Sequence, residues 1–578
     1  MSSRVLDFVV GASLLFATSF VSISKANAQA LSVDFETQFI NELSAESGVT
    51  PVSTKGILSE VPDGLSTKEI APHCDPRRFE DSVVGRGLST AQYFQTAKQY
   101  FKACSGELTR RSTTGLLGLL KFTKFVYPFF THPQVKSFMV TLPDGSKIPG
   151  ILAMKQDPRP RPLVIVRCGV FCSAAQSAST KSYLMHLFDQ SPFNVLILAN
   201  QTGMDYIYYN HKVTLGGWSE GYESLEVGRW MKEKWEHRNR VSSIHFMGIS
   251  LGGNAAVMGA AFNDSYPLAN GQKVFNSVTA ICPVISLKPT LDDLFKGQIV
   301  GRLFFKNSKD HFKDARQYVH DVPDLLTDKR LPASRLQMAD FIGEIASTSL
   351  QRRGIASTTP AYFRSNNFWN LKQEVKTPMM IWASKDDIVV SNKINAQVME
   401  HDDLYERSQN VGVVNLAYGN HCGFSSAYGF QASAALLRTF VLNHSPEFVQ
   451  SYNQKQVMPW SFGFSKIGKQ FEHIGQSFEF KENSDQVKVV FKIFNWQGGD
   501  QCYQDGPWAG TNQCISKKTY TVSVASLKKL GARVPRNSTE AQAITREFNT
   551  KVEFVNAGKP INGTSVNDFS MVWRNHFE

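Results

Sequence analysis

The residues with most to offer chemically are a serine, a pair of aspartates and a histidine, in that chain order. The serine, Ser250, stands in "IHFMGISLGGNAAVMGA", between Gly248 and Gly252. An apolar run of strand character ends at Gly248, and an alanine-rich run of helix character begins after Gly253. A chain that turns from strand to helix at one residue strains that residue's backbone. Side chains two positions before and after it would collide, which accounts for glycine at both. The turn pushes the serine hydroxyl out at the sheet edge, over a helix N-terminus with free N–H groups and a positive dipole end. Cradling a phosphate is the rival use of such a turn. It needs a P-loop lysine or a GxGxxG repeat, and neither accompanies this one.

A serine hydroxyl is a poor nucleophile without a base. The chemistry therefore asks for a carboxylate and then a histidine farther along, each at the end of a strand. "KTPMMIWASKDDIVVS" supplies an apolar strand that ends in Asp386 and Asp387. "VGVVNLAYGNHCGF" supplies a second, with His421 between Gly419 and Gly423.

The elements that must hold these residues alternate in type. "VKSFMVTLPDGSKIPGILAMKQ" reads as a hairpin turning at Asp144-Gly145. "RPLVIVRCGV", "FNVLILAN", "VSSIHFMGI", "FNSVTAICPVI", "TPMMIWAS" and "VGVVNLAYG" read as buried strands. "TKSYLMHLFDQ" and "EGYESLEVGRWMKEKWEHR" read as helices between them. This alternation predicts a doubly wound, mostly parallel α/β sheet. About ninety Lys/Arg/Asp-rich residues, 288–376, separate two of the strands, too many for a plain connection. They are expected to form an inserted helical cap.

With these residues in place, the chain resembles an α/β-hydrolase over about residues 135–443. "DDIVV" is similar to that fold's usual "DDPVVP" acid turn. "GNHCGF" is similar to the "GGHxGF" signature of an esterase and lipase subgroup of the abhydrolase-domain proteins. "PAYFRSNNFWNLKQEVKTPMM" resembles the stretch leading into the acid strand there. The resemblance implies a Ser250–His421–Asp387 triad, with Asp386 as the rival acid. The backbone N–H groups of Val170 and Leu251 would form the oxyanion hole. It also implies a serine hydrolase acting on carboxylic esters, lipid esters among them. An acyltransferase or thioesterase would use the same triad, and a non-catalytic envelope-binding protein could be built on the same scaffold. The chain departs from the pattern at Cys168-Gly169, where many members have His-Gly, and at Asn420, where the glycine before the histidine is replaced. The first departure leaves the backbone donors in place. The second is expected to narrow the site.

Arg4, the apolar stretch Val9–Val21 and Ala26-Asn27-Ala28 read as a secretory signal peptide over 1–28. Export to the periplasm or medium follows. Residues 29–130 are expected to form an extension on the main domain, 131–445 the hydrolase domain and 446–578 a small β-rich domain with alternating strands. The chain has eight cysteines, an even number in an oxidising compartment. Cys502–Cys514 is the first pairing expected, Cys74–Cys104 the second, and Cys168–Cys172 a third across a tight loop. Cys282 and Cys422 read as buried small hydrophobic residues. No cofactor is expected, and no metal, because no His/Cys set has zinc spacing. The formal charge of +12 suits an anionic membrane or envelope surface as a partner, although positive charges scattered as these are can equally serve only to keep a protein in solution. Nothing marks a nucleic-acid binder, and the sequence leaves the oligomeric state open.

Overall fold

A computed structural model describes residues 71–110, 135–155, 158–174, 178–189, 191–355, 357–371, 375–402 and 408–451, and the backbone of four later strands at 474–480, 486–496, 513–523 and 553–556. The segment read as a signal peptide lies outside these residues, as do the first part of the extension, Cys502 and most of the C-terminal region.

The aliphatic runs become strands because only a sheet covered on both faces can bury every one of their side chains. The central strand β3, Arg161–Arg167, is buried at all of its positions. In chain order the strands are β1 (Val135–Thr141), β2 (Lys147–Ala153), β3, β4 (Asn194–Leu198), β5 (Val241–Ile249), β6 (Ser277–Ile281), β7 (Met379–Ser384) and β8 (Val411–Leu416). They lie side by side as β1-β2-β4-β3-β5-β6-β7-β8. β2 runs antiparallel to both of its neighbours, and every pair from β4 to β8 is parallel. The β1–β2 turn is the expected one: Gly145 has φ 82°, and Asp144 accepts from the amide of Ser146.

Two helices of the extension, α1 (Pro76–Val83) and α2 (Thr90–Thr109), lie on the β8 side. Ser89 and Gln92 cap α2 reciprocally, satisfying two otherwise orphaned amides. Tyr93 on α2 donates to the carbonyl of Leu436, and Phe94 stacks on Phe440. Helix α3 (Gly217–Glu233) and helix α4 (Leu251–Ser265) pack together against the central strands.

The insertion between β6 and β7 is helical, as its length and composition predict. It carries α5 (Leu287–Lys296), α6 (Val300–Ala315), α7 (Met338–Arg352) and α8 (Thr359–Ser365). Beyond residue 451, β9 (Ile474–Phe480), β10 (Gln486–Trp496) and β11 (Gln513–Ser523) form an antiparallel sheet. The last described strand, β12 (Glu553–Asn556), lies parallel beside β1, at the edge of the main sheet.

The cysteine expectations fare unevenly. Cys74–Cys104 and Cys168–Cys172 are disulfides, as anticipated. Cys282 and Cys422 are not separate apolar fillers but a third disulfide, with Cα atoms 5.4 Å apart across 140 residues of sequence. Nothing local signals that pair. It forms because the loop after β8 folds back past the end of β7 to the residue that follows β6, which brings two positions far apart in the chain face to face. With Cys502 outside the described residues, the Cys502–Cys514 pair has no structural counterpart here.

Candidate active site

The turn at Ser250 has the shape its glycines require. Ser250 is the N-cap of α4 and sits at φ 58°, ψ −116°, a region that non-glycine residues rarely enter. A β-carbon on Gly248 would overlap the carbonyl of Gly252, and one on Gly252 would overlap the carbonyl of Arg167. Two hydrogen bonds to the segment at the end of β6 fix the strained residue. Its amide donates to the carbonyl of Ile281 at 2.9 Å, and its carbonyl accepts from the amide of Val284 at 3.3 Å.

His421 arrives from the loop after β8. Its Nε2 lies 2.9 Å from Ser250 Oγ and its Nδ1 lies 2.9 Å from Asp387 Oδ2. A neutral imidazole in this setting donates from Nδ1 to the carboxylate and accepts the serine proton at Nε2. The other Asp387 oxygen accepts from the amides of Val389 and Val390, both at 2.8 Å, which fixes the carboxylate plane. The Asp387 side chain is almost wholly buried, while that of His421 keeps 14% of its surface exposed.

The two aspartates have separate jobs. Asp386 does not touch the imidazole. It accepts from the amide of Asn420 at 2.7 Å. Asn420 is itself left-handed, at φ 44°, its carbonyl accepts from Ser384 Oγ at 2.6 Å, and its side-chain oxygen accepts from the amide of His421 at 2.7 Å. The expected narrowing by Asn420 takes a different form. Its side chain is buried and folds back on the backbone of the histidine loop, so it shapes the loop.

The loop after β3, Cys168–Ser173, crosses directly over the serine. A β-carbon on Gly169 would stand 3.1 Å from Ser250 Cβ and 3.5 Å from Oγ. Val170 and Leu251 flank this approach, and among the described residues neither amide has a protein acceptor. Leu251 is the first residue of α4, so its N–H is one that the helix itself leaves unpaired.

Sequence reasoning missed what holds that loop. A buried polar cluster lies beneath it, built from the loop after β4 and from α3. Asn200 donates to the carbonyl of Cys168, Thr202 Oγ1 accepts from the amide of Phe171 at 2.6 Å, and Asp205 accepts from Ser173 Oγ at 2.8 Å. Glu220 on α3 accepts from Asn200 and from the amide of Gln201. Burial pushes the Glu220 carboxyl up to about 8 against the opposing charge of Arg167, and pushes Asp205 up to about 6. Arg167, fully buried, pairs with Glu223 at 3.2 Å, and Glu223 accepts from Tyr206 at 2.7 Å. The aromatic stretch "MDYIYYN" thus serves packing and this cluster through Tyr206. The one available signal was the run of polar residues N-Q-T after an apolar strand, which is ordinary loop composition.

The cap reaches the same loop. Phe171, at φ 59°, lies 4.2 Å from the ring of His311 on α6 and stacks at 6.2 Å on Phe304. Burial lowers the His311 imidazole to about 4, so it faces Phe171 uncharged.

Among the described residues, two groups of side chains have the spacing of metal ligands, His73/Cys74/Cys104 and Cys282/His421/Cys422. In each, the two sulfurs are joined to one another and offer no thiolate to a metal.

A mostly parallel sheet, a strained serine between a strand and a helix at the sheet's C-terminal edge, and the chain order Ser–Asp–His occur together here. The fold is that of an α/β-hydrolase. No family model matches the chain, and no curated protein matches it. Among solved structures it is similar to brefeldin A esterase, a bacterial homologue of human hormone sensitive lipase, at 13% identity and a TM-score of 0.35, covering 67% of this chain and 95% of that one. It is also similar to a hyperthermophilic esterase from the archaeon Pyrobaculum calidifontis, at 13% identity and a TM-score of 0.34, covering 66% and 99%. Oligopeptidase B from Leishmania major matches at 13% identity and a TM-score of 0.33 over 54% of this chain and 36% of that one.

Proposed function

We propose that this protein is an exported serine hydrolase that cleaves carboxylic esters through an acyl-enzyme. The observation that carries the reading is the unbroken chain from Ser250 Oγ through His421 to Asp387, with both links at 2.9 Å. In this mechanism His421 Nε2 takes the hydroxyl proton as Ser250 attacks the acyl carbonyl. Asp387 orients the imidazole and stabilises its cation. The amides of Val170 and Leu251 receive the oxyanion, each worth about 3–4 kcal/mol of transition-state stabilisation. His421 then gives its proton to the leaving alcohol, and water, activated by the same imidazole, releases the acid.

Three disulfides among the described residues support an oxidising location. No helix among them is long and apolar enough to cross a membrane. Lipid esters are the substrate class to try first. On the cap, Ile299 between α5 and α6 and Leu336 in the turn before α7 are 46% and 61% exposed, and Lys296 at the end of α5 and Arg302 in the first turn of α6 are exposed too. That is a surface suited to an anionic lipid interface.

The test is labelling of the purified protein with a fluorophosphonate probe beside Ser250→Ala, followed by esters of graded acyl length. Labelling of the wild type alone, with turnover on the ester panel, is the expected result. A folded wild type that neither labels nor turns over would remove the enzymatic reading and favour a binding protein on a hydrolase scaffold. Product esters formed with an added alcohol in preference to free acid would instead identify an acyltransferase.

A further inference from the structure

The histidine loop is held by two kinds of contact that run in different directions. Its hydrogen bonds lead to the acid side. Asn420 is gripped by Asp386 and Ser384 at the end of β7, the amide of Lys385 donates to the carbonyl of Leu416, and Phe424 stacks on Trp382 of β7 at 4.1 Å. Toward the nucleophile, residues 419–424 have the His421–Ser250 hydrogen bond and one covalent link, Cys422 to Cys282.

Cys282 is well placed for such a link. It follows β6 directly, is 2% exposed, and its amide donates to the carbonyl of Trp382 at 2.7 Å. Its neighbours Ile281 and Val284 are the residues whose backbone clamps Ser250 from both sides. The path from nucleophile to base is therefore short: the Ser250 amide to the carbonyl of Ile281, one peptide to Cys282, the disulfide to Cys422, one peptide to His421. Both half-cystines are left-handed, at φ 42° and φ 61°, in non-glycine residues that do not rest there without restraint.

We infer that Cys282 and Cys422 are positioning residues whose disulfide sets the reach of His421 toward Ser250, so that a dithiol switches the site off while the fold persists. The inference rests on the serine-hydrolase reading and deepens it. In the step, one thiolate of a dithiol attacks one sulfur of the pair, which breaks the Cys282–Cys422 bond, forms a mixed disulfide and releases the other sulfur to take up a proton. The dithiol's second thiol displaces the protein sulfur of the mixed disulfide and leaves as a cyclic disulfide. Two electrons and two protons pass from the dithiol to Cys282 and Cys422, which become thiols. His421 stays attached to Asp387 but loses its tie to the nucleophile side. A displacement on the order of 1 Å at a reacting pair costs roughly 100-fold in rate.

The experiment compares the wild type, Cys282→Ser/Cys422→Ser and Cys74→Ala/Cys104→Ala. Each is assayed on a short-chain nitrophenyl ester before and after dithiothreitol, with alkylation and mass spectrometry to show which sulfurs opened. Circular dichroism and an active-site titration normalise the rates to folded protein. Opening Cys282–Cys422 is expected to lower kcat by about 10- to 100-fold with KM nearly unchanged. Reoxidation should restore the wild type and not the double serine variant. The Cys74→Ala/Cys104→Ala protein should melt earlier yet turn over like the wild type. An unchanged kcat with the Cys282 and Cys422 thiols demonstrably free would overturn the inference. So would a loss of rate that only tracks unfolding, or an equal loss in the Cys74→Ala/Cys104→Ala protein. An untreated wild type that is inert to both ester and fluorophosphonate would instead bring down the underlying hydrolase reading.

Discussion

The turn that carries Ser250 and the loop that carries His421 reach the same point by opposite means. The turn is legible within a few residues, as a buried strand, two glycines and the first turn of α4, although Arg167, Ile281 and Val284 complete its restraint. The loop has little local order of its own. Asn420 and Cys422 are both left-handed without being glycine, and their restraints come from Asp386, Ser384 and Cys282, which are 34, 36 and 140 positions away. The serine turn can be read from neighbouring sequence, whereas the position of the histidine loop depends on contacts across the sheet. Substitutions at the two turn glycines should therefore act on folding, and mutations around the loop on rate.

The sharpest separation is expected between the two aspartates. Asp387→Asn should lower kcat by about 10⁴-fold with the melting temperature nearly kept, because the amide favours the wrong imidazole tautomer. Asp386→Asn, at the neighbouring position, should cost far less, on the order of tenfold, because it only loosens Asn420. Steady-state kinetics of the two variants would settle which carboxylate serves the imidazole. Equal losses would break the distinction drawn here.

On the other side of the comparison, Gly252→Val should act on folding alone. Its side chain would overlap the carbonyls of Arg167 and Cys168. A cost beyond about 4 kcal/mol is expected, enough to remove most soluble protein. A soluble variant with the wild-type melting temperature would show that the turn tolerates what its geometry forbids.

A third prediction uses pH. His186 is buried and its Nε2 lies 3.1 Å from Ser425 Oγ, just beyond the histidine loop. Burial, helped by the charge of Arg438, lowers it from 6.5 to about 3. The folded protein resists a proton that the unfolded chain accepts, so this contribution is complete above about pH 6.5 and is lost as the pH falls toward 3. The loss runs at up to about 1.4 kcal/mol per pH unit. Urea unfolding across that window should show a shallower slope for His186→Gln than for the wild type. Identical slopes would mean that His186 is not the group resisting the proton.

The smallest effect is expected at Asn420. Asn420→Gly suits the left-handed backbone but removes the side-chain bond to the His421 amide. A change in kcat of no more than a few fold, with little change in KM, is the expected outcome. A larger loss would move the loop's restraint from its backbone contacts to this one side chain.

The same division accounts for what could be read in the sequence. Eight of the nine strands described for the main sheet, the cap and the strand–serine–helix turn each announce themselves in the sequence, through apolar runs, the length of the insertion and glycine spacing. The candidate triad could be named because each member ends an apolar strand. The resemblance puts Asp387 ahead of Asp386, and the contact of Asp387 Oδ2 with His421 Nδ1 favours the same residue. The partnership of Cys282 with Cys422 and the support of the Cys168–Ser173 loop by Asn200, Thr202, Asp205 and Glu220 were not readable. Each depends on strand order, and a buried glutamate on a helix has the same local pattern as an exposed one.

The third disulfide also changes what a cut in the chain would do. Cys282 precedes the cap, and Cys422 follows both the acid strand and the histidine strand, so the pair closes a covalent ring that contains all three. Cleavage by a protease anywhere in the cap would open that ring without dividing the protein. The product would be a two-chain molecule whose halves separate on a gel only after reduction, and the strand ends that carry Ser250 and His421 would still be joined.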